Sequence, residues 1–476
     1  MGTLSRQVNN WLHEHADCVF SYVHGWTYSD VAQQVDACAI RLHEQGVAER
    51  HLVALYAANS QAAVIAFLAL LKLDAVPILV HHYYQPEQVQ DIIGAFSPHA
   101  LLTDTREGVA TNPTHFDIGE RTLYLSSAIT RDAQDIPPQV AVIGMTSGTT
   151  NRPKGVMLTD SNLLSNIESI GRYLGLTSKD RMLIMRSLSH ASVFTGEFLV
   201  ALAQGCAVDV IDQFNVLRIH KWMQAHQITI TGGSPSMIRS LSNLQKKLET
   251  SLPLQKILIS GSPVSAQVLA EIVFPFPDVK FYHGYGLTEA SPRISCLLPQ
   301  DFRRKMSSVG RPLTNVTVKI IDEAGQEAPP MQVGEIVATG PNVMFGYYGH
   351  EPLSGSTIAT GDLGYLDDEG FLYVIGRKDD LIIRAGINIY PSEIEEALLQ
   401  HPSVTDAFVY GSPDDVHGHR IHAWVVVDEA ASEMLQDDIF QHCVRLLGSA
   451  RIPQEIRIVP EIATNAVGKR VKPCLL

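Results

Sequence analysis

Paired cysteines are missing from this chain of 476 residues. Its six cysteines, Cys18, Cys38, Cys206, Cys296, Cys443 and Cys474, are scattered, with no Cys-x-x-Cys pair and no histidine partner at zinc-finger spacing. That excludes a disulfide framework and a structural zinc site as organising devices, and it fits a reducing cytoplasm. Basic residues are also short. Lysine and arginine total 36 against 50 aspartates and glutamates, a formal charge of −14, which argues against a broad basic surface for nucleic acid or an anionic membrane. Any phosphate must then be held locally. No hydrophobic run is long enough to cross a bilayer: the most apolar stretch, Ala62 to Val80, is interrupted by Lys72, Asp74 and Pro77, whereas a spanning helix needs about 20 apolar residues. The segment Met1 to Gln7 lacks the basic-then-apolar order of a secretory leader, and Arg6 stands where a myristoylation signal wants serine or threonine. Internal repeats and low-complexity linkers are absent as well.

What is present is a composition 45% hydrophobic and 18% charged, with a mean hydropathy of +0.06, ordinary for a chain that buries a large core. The length predicts more than one domain, because single cores stop growing at roughly 250–300 residues. Apolar, β-branched runs recur at Leu52–Tyr56, Pro77–Val80, Ala100–Thr103, Val140–Met145, Ala207–Ile211, Ile228–Thr231, Ile257–Ser260 and Val279–Tyr282. Helical patterns separate them, among them Ser29–Gln45, Ala62–Leu71, Thr159–Leu174 and Ser265–Val273. The alternation predicts an α/β fold with mainly parallel sheets covered by helices. After about Val309 the texture changes to short strands joined by Asp322-Glu323-Ala324-Gly325 and Asp367-Asp368-Glu369-Gly370, turn chemistry that predicts a small antiparallel or barrel-like subdomain. From about Asp380 a helix, two strands and a second helix predict a compact α+β domain.

Directly after the strand Val140–Met145 comes Thr146-Ser147-Gly148-Thr149-Thr150-Asn151-Arg152-Pro153-Lys154-Gly155. Four hydroxyls, small residues and a lysine at the end of a strand suit a polyphosphate. Exposed backbone N–H groups and hydroxyls can surround its oxygens while Lys154 supplies charge. The Walker spacing is absent, and the lysine follows a proline.

This segment resembles the phosphate-binding signature of the adenylate-forming superfamily, which includes acyl- and aryl-CoA synthetases, firefly-type luciferases and the adenylation domains of peptide synthetases. Asn151 stands where that family usually has glycine, and asparagine accepts positive φ better than most residues. Further matches follow in the family's order. His283-Gly284-Tyr285-Gly286-Leu287-Thr288-Glu289 resembles its second core motif. The resemblance implies His283, Gly284 and Gly286 beside the nucleotide, Tyr285 against the adenine, Thr288 near the α-phosphate, and Glu289 with Thr146 on magnesium. Ser260-Gly261-Ser262-Pro263 is similar to the turn that receives the adenine, which puts Gly261, Ser262 and Pro263 on the nucleotide. Thr360-Gly361-Asp362 presents a carboxylate suited to a ribose diol, and the resemblance adds Arg377 as a nucleotide contact.

The run from Asp379 to Glu395 resembles the family's domain junction. It implies a layout of 1–376 for the N-terminal domain, with its β-barrel-like part at about 309–376, a hinge at 377–379 centred on Asp379, and a small mobile α+β domain at 380–476. In the family the small domain rotates between two half-reactions, which would bring the loop at Gly386 to the site for thioester formation. Thr464-Asn465-Ala466-Val467-Gly468-Lys469 resembles the terminal loop whose lysine stabilises charge while the acid attacks the α-phosphate, although Ala463 replaces the proline usually found upstream.

The implied reaction has a carboxylate attack Mg·ATP to give an acyl-adenylate and pyrophosphate, after which a thiol displaces AMP. The implied catalytic set is Lys469, His190, Thr288 and Glu289, and the phosphate set is Thr146, Ser147, Gly148, Thr149, Thr150 and Lys154. The segment Ser187–Ser192 holds no aspartate to pair an α-ammonium group, and its His190 resembles the histidine of acyl- and aryl-CoA ligases. An acyl pocket lined by His190, Gly196, Gly284, Gly286, Pro292 and Gly310 leaves room for an aryl ring or an alkyl chain. The expectation is an ATP-dependent ligase joining an aryl or fatty acid to CoA or to carrier-protein phosphopantetheine. The alternative is an amino-acid-activating enzyme that loads a carrier protein. Neither nucleic acid nor a membrane span is expected, and a homodimer is one of the oligomeric states left open.

Overall fold

A computed structural model of the chain describes residues 2–106, 113–118, 121–127, 136–146, 154–248, 251–385, 387–414, 416–428, 433–448, 451–463 and 470. These group into two compact units, Met1–Val318 with Ala338–Ile358 and Lys319–Val337 with Ala359–Leu476. Among the described residues no helix is long and apolar enough to cross a membrane.

The first unit is built on two sheets. One has eight strands in the order Gly346–Tyr347, Lys154–Thr159, Val140–Thr146, Val76–Val80, Leu52–Tyr56, Ala100–Thr103, Arg121–Ser127 and Thr114–Ile118. Its four central strands, Val140–Thr146 to Ala100–Thr103, run parallel, and antiparallel strands flank them on both sides. The strand Val76–Val80 is buried at every residue, as expected where helices cover both faces of a parallel sheet. Its Pro77 lacks an N–H for a ladder. The neighbouring strand Val140–Thr146 pairs with it only from Ile78, so the proline sits where that ladder has not begun. The helix Gln61–Lys72 is buried from Gln61 to Leu71 and starts at Ser60, whose side chain accepts from the Ala63 N–H, one of the donors that a helix start leaves unpaired.

The second sheet runs Ala207–Val210, Arg181–Ile184, Ile230–Gly233, Lys256–Ile259, Lys280–Tyr285, Ser295–Leu297 and Arg311–Pro312. The first five strands are parallel, and the last two return antiparallel. Ligand sites in such sheets form at the carboxyl ends of the parallel strands, where Ser260, Gly286 and the hydroxyl-rich loop all begin.

In the second unit the β-rich segment forms a four-stranded sheet, Thr317–Ile321, Gly334–Thr339, Thr357–Leu366 and Leu372–Arg377. Its turns follow from aspartate chemistry. Asp322 Oδ1 accepts from the Ala324 and Gln326 N–H groups, and Asp367 Oδ1 accepts from those of Glu369 and Phe371. The rest has a two-stranded sheet, Ile382–Arg384 and Ile387–Ile389, and a three-stranded sheet, Val404–Asp414, Gly418–Val427 and Glu455–Ile458, with the helices Pro391–Leu399 and Glu433–Leu446. Ile394, Leu398, Ile421, Val425, Ile439 and Ile456 lie in its core.

Candidate active site

The hydroxyl-rich segment is the connection of a β-hairpin. Val140–Thr146 and Lys154–Thr159 pair antiparallel with Thr146 opposite Lys154, so the two residues that bound the loop are fixed against each other by the ladder. Ser147, Gly148, Thr149 and Thr150, between them, lie outside the described residues. Lys154 is exposed, with Nζ 5.3 Å from the centroid of the Tyr347 ring. Tyr347 Oη donates to Glu289 Oε1 at 2.8 Å. A cation, a phenol and a carboxylate thus stand in line at the edge of the sheet. Tyr347 gets there through the strand Gly346–Tyr347, which pairs with the outer side of Lys154–Thr159, while the Met344 N–H donates to the Glu289 carbonyl at 2.8 Å.

The Thr288–Ala290 turn meets this hairpin because Gly144 carries no side chain. A Cβ on Gly144 would lie 2.9 Å from the Thr288 methyl, so the turn packs directly on the strand that ends in Thr146. Two buried asparagines hold the turn's far end. Asn166 Nδ2 donates to the carbonyls of Ala290 and Arg293 at 3.2 and 3.1 Å, and its Oδ1 accepts from the Arg293 N–H. Asn342 Nδ2 donates to the same two carbonyls at 3.0 and 2.9 Å. Neither asparagine, nor Tyr347, stands in a motif, and nothing local in the sequence marks them.

For magnesium, the donors that the resemblance names are a hydroxyl, Thr146, and a carboxylate, Glu289. Oxygen donors are the right kind for this hard cation. Among the described residues no cluster of three or more His, Cys, Asp or Glu side chains could hold a metal. The site therefore fits an ion carried in largely by phosphate oxygens and water, as magnesium usually is.

On the second sheet, the turn after Lys256–Ile259 carries Ser260, Gly261, Ser262 and Pro263. Beneath it lies a buried ion pair that the motifs do not announce. Arg186 Nη2 donates to Glu197 Oε1 in a close contact, and the two guanidinium nitrogens also reach the Ser260 carbonyl and hydroxyl at 3.4 and 3.3 Å. The side chains of Arg186 and Glu197 are 9% and 1% exposed. Glu197 sits in a π-helical turn, Phe194–Leu199, a local widening that often marks functional positions.

His190 opens the short helix before that turn, and its ring lies 4.3 Å from that of His81. His81 Nδ1 is 2.5 Å from Ser189 Oγ, which is 2.7 Å from Ser187 Oγ. Asn59 fixes the same loop, accepting from the Leu188 N–H and donating to the Arg186 carbonyl. Burial pushes the His81 imidazole down to about 4, helped by the neighbouring His82. His283 is pushed down to about 4 by burial as well, against the opposing pull of its bond to the Ser308 backbone.

These two histidines make the fold acid-sensitive. Each is neutral when folded and binds a proton below about 6.5 when unfolded, so the unfolded state takes up more protons as pH falls. Their stabilisation is complete above about pH 6.5 and declines from there toward pH 4. The decline is about 1.4 kcal/mol per pH unit for each histidine. Urea midpoints measured at about pH 7 and pH 5 should differ accordingly, and His81→Asn should remove one histidine's share of the slope. A wild-type midpoint that does not move over that interval contradicts the assignment.

The remaining expected contacts lie elsewhere. Gly310, at φ 83°, backs onto Cys296, and Gly286 backs onto Pro292; a Cβ on either would fall 1.9 Å from backbone atoms. In the second unit Asp362 and Arg377 face each other across two antiparallel strands, with Arg377 Nη1 donating to Asp362 Oδ1 and to the Thr360 carbonyl, both at 3.0 Å. Asp379 is exposed in the turn Lys378–Asp380. Gly386 and Lys469 lie outside the described residues.

Parallel strands that end in a hydroxyl-rich hairpin, beside a glycine-lined turn presenting a carboxylate, define an α/β enzyme that handles a nucleotide polyphosphate. The AMP-binding enzyme family matches residues 4–348, and the AMP-binding enzyme C-terminal domain matches residues 393–469. The chain belongs to this family, within the adenylate-forming superfamily of acid–thiol ligases. A 2-succinylbenzoate–CoA ligase of Bacillus velezensis is 36% identical over 356 residues, 72% of this chain and 71% of the relative. That of Bacillus licheniformis is 30% identical over 478 residues, 97% and 98% of the two chains. Among solved structures, the o-succinylbenzoate CoA synthetase of Bacillus subtilis in complex with its acyl-adenylate intermediate superposes with a TM-score of 0.82 at 28% identity, covering 97% of this chain and 96% of that one. The same synthetase in complex with ATP and magnesium ion gives 0.81 at 28% identity, covering 97% and 98%.

Proposed function

We propose that the protein is an ATP-dependent acid–CoA ligase that activates an aryl acid of the 2-succinylbenzoate kind as its acyl-adenylate and passes the acyl group to CoA. The observation that carries this reading is the hairpin in which Thr146 faces Lys154, joined through Tyr347 to Glu289. It brings the Thr146 hydroxyl, a cation and a carboxylate to one edge of the sheet, the group types that suit a magnesium-bound polyphosphate. The names of the relatives support CoA as acceptor and an aryl acid as substrate; they offer nothing for the carrier protein or for an amino-acid substrate. Glu197, the acid nearest in sequence to an ammonium-binding position, is already engaged by Arg186.

In this reading the hydroxyl loop and Lys154 hold the β- and γ-phosphates, and Thr288 meets the α-phosphate. Tyr285 and the Ser260–Pro263 turn receive the adenine. Glu289 and Thr146 would hold magnesium, which would supply charge neutralisation for the phosphates. Asp362 and Arg377 take the ribose, and Lys469 stabilises charge on the α-phosphate as the carboxylate attacks. His190, beside a neutral His81, orients the carboxylate. The hinge at Asp379 then exchanges the Lys469 loop for the Gly386 loop, and the thiol displaces AMP.

The test is ATP–pyrophosphate exchange across aryl, fatty and amino acids, followed by AMP release with CoA or a phosphopantetheinylated carrier protein. Exchange with aryl acids and release with CoA are expected. Exchange with amino acids alone, or ATP binding with no exchange, would overturn the reading.

A further inference from the structure

The strands Val76–Val80 and Arg181–Ile184 belong to different sheets, yet the residues that follow them meet in an unbroken chain of polar side chains. His82 Nδ1 lies 3.3 Å from Ser187 Oγ, Ser187 Oγ lies 2.7 Å from Ser189 Oγ, and Ser189 Oγ lies 2.5 Å from His81 Nδ1. Each hydroxyl can give one hydrogen bond and receive another, so the chain runs in one sense or the other and engages His81 Nδ1 in both. His81, Ser187 and Ser189 are buried, where such bonds are stronger than in water and costly to break. His82, half-buried at the far end, feels the charges of Asp104 and Asp212.

What the chain fixes is the His81 ring. One side of it meets Tyr84 edge-on, with centroids 5.4 Å apart and planes at 89°, and the Tyr84 N–H donates to the His81 carbonyl at 3.0 Å. With Nδ1 held by Ser189, the ring cannot turn without breaking a buried bond. The His190 ring packs on it at 4.3 Å between centroids, the planes 52° apart. The His190 backbone is fixed separately: its N–H donates to the Ser187 carbonyl at 3.1 Å, and its carbonyl accepts from the Val193 and Phe194 N–H groups at 2.8 and 2.9 Å. The backbone leaves open the direction of the imidazole, and His81 is a neighbour that limits it. A charged ring at position 81 would also draw a carboxylate to itself. Burial pushes His81 down to about 4, which removes that competition.

We propose that His81 is a positioning residue for the adenylation step: locked by the Ser189–Ser187–His82 chain, it sets the direction in which His190 meets the carboxylate of the acid. The inference rests on the ligase reading above, in which His190 orients that carboxylate, and it adds the side chains that orient His190. A reacting group displaced by about 1 Å can lose up to roughly 100-fold in rate, so a fixed imidazole has a large effect to exert. The chain governs the acid and leaves the nucleotide alone, since none of its four members stands in a nucleotide motif.

The test uses the full chain and acid-dependent ATP–pyrophosphate exchange, with the acid of the panel above that supports exchange best. Ser189→Ala should raise the KM for the acid about tenfold, the scale of one buried hydrogen bond left unmade, and leave the KM for ATP within about twofold. Ser187→Ala breaks the chain one bond further from His81, so it should raise the acid KM about threefold even if Ser189→Ala does not fold. Ser189→Thr keeps the hydroxyl and should hold the acid KM within about threefold of the wild type. A second comparison uses His190→Ala. In that background Ser189→Ala should change the acid KM less than about twofold, because a group that acts through His190 has nothing left to position. Losses that add in the double variant, or equal rises in the KM for acid and for ATP, overturn the proposal and show a structural role. An acid KM unchanged in both Ser189→Ala and Ser187→Ala overturns it too, while leaving the ligase reading intact. No exchange with any acid in the wild type removes the ligase reading itself, and this inference with it.

Discussion

Lys469→Ala is expected to lower acid-dependent ATP–pyrophosphate exchange by roughly 10²–10³-fold, the usual cost of removing one group placed where transition-state charge develops. The same variant should form thioester from a synthetic acyl-adenylate and CoA at close to the wild-type rate. In the first half-reaction a carboxylate attacks a phosphorus already surrounded by negative oxygens, and a lysine at the α-phosphate offsets both charges. In the second, the thiol attacks a carbonyl and AMP leaves from a state in which the family swings its C-terminal loop away. The comparison of half-reactions therefore separates a catalytic lysine from one that merely supports the fold. Equal losses in both half-reactions would refute the assignment. The chain's acidity sharpens the expectation. With a net charge of −14, the protein does not attract a nucleotide through its general field, and a few placed cations carry the task.

Glu197→Ala should destabilise the protein by about 3–5 kcal/mol, because it leaves Arg186 buried and unpaired. Arg186 would keep only the Ser260 carbonyl and hydroxyl, at 3.4 and 3.3 Å, neutral acceptors that do not balance a guanidinium. Glu197→Gln should cost less, since the amide oxygen still accepts a hydrogen bond. The double variant Arg186→Met/Glu197→Leu should recover most of the stability, since replacing a buried ion pair by well-packed apolar groups is often neutral or better. The midpoint of urea unfolding at constant pH measures all three. A single-variant loss below about 1 kcal/mol would mean that water reaches Arg186 and the pair is not the support described. The double variant has a second readout. Without Arg186 the Ser260–Gly261 turn loses its tie to the π-helical turn, so the KM for ATP should rise even where stability has returned.

Much of the fold is legible in the sequence. Strands that are buried on both faces read as continuous apolar runs, and Leu52–Tyr56 and Ala100–Thr103 end where those runs end. The helix over Gln61–Lys72 is apolar almost throughout, and its length separates it from a strand. Reading the boundaries fails where pairing extends a strand beyond its apolar residues. The strand Val404–Asp414 runs past Tyr410 into Gly411–Asp414, and Gly418–Val427 starts with Gly418-His419-Arg420, because the two form a long hairpin whose ladder runs into polar sequence. Nothing local in the sequence marks the strand Lys154–Thr159. It is a strand because Val140–Thr146 offers it a partner, and partnership lies outside any local pattern.

The same division runs through the site. The sequence by itself determined the chemistry that depends on contiguous residues: the hydroxyl loop from Thr146 to Lys154, the His283–Glu289 motif, and the family these define. Residues adjacent in the chain are close in space in any fold, so motifs of this kind are legible without one. Only the tertiary structure decided which distant side chains complete them. Tyr347 reaches Glu289 across 58 residues, Asn166 holds Arg293 across 127, and Ser189 meets His81 across 108. Arg186 and Glu197 are 11 residues apart, yet a strand end and a π-helical turn must meet before they can pair. Packing assigns each of these roles, because the cost of a buried charge or an unpaired polar group depends on what surrounds it in three dimensions.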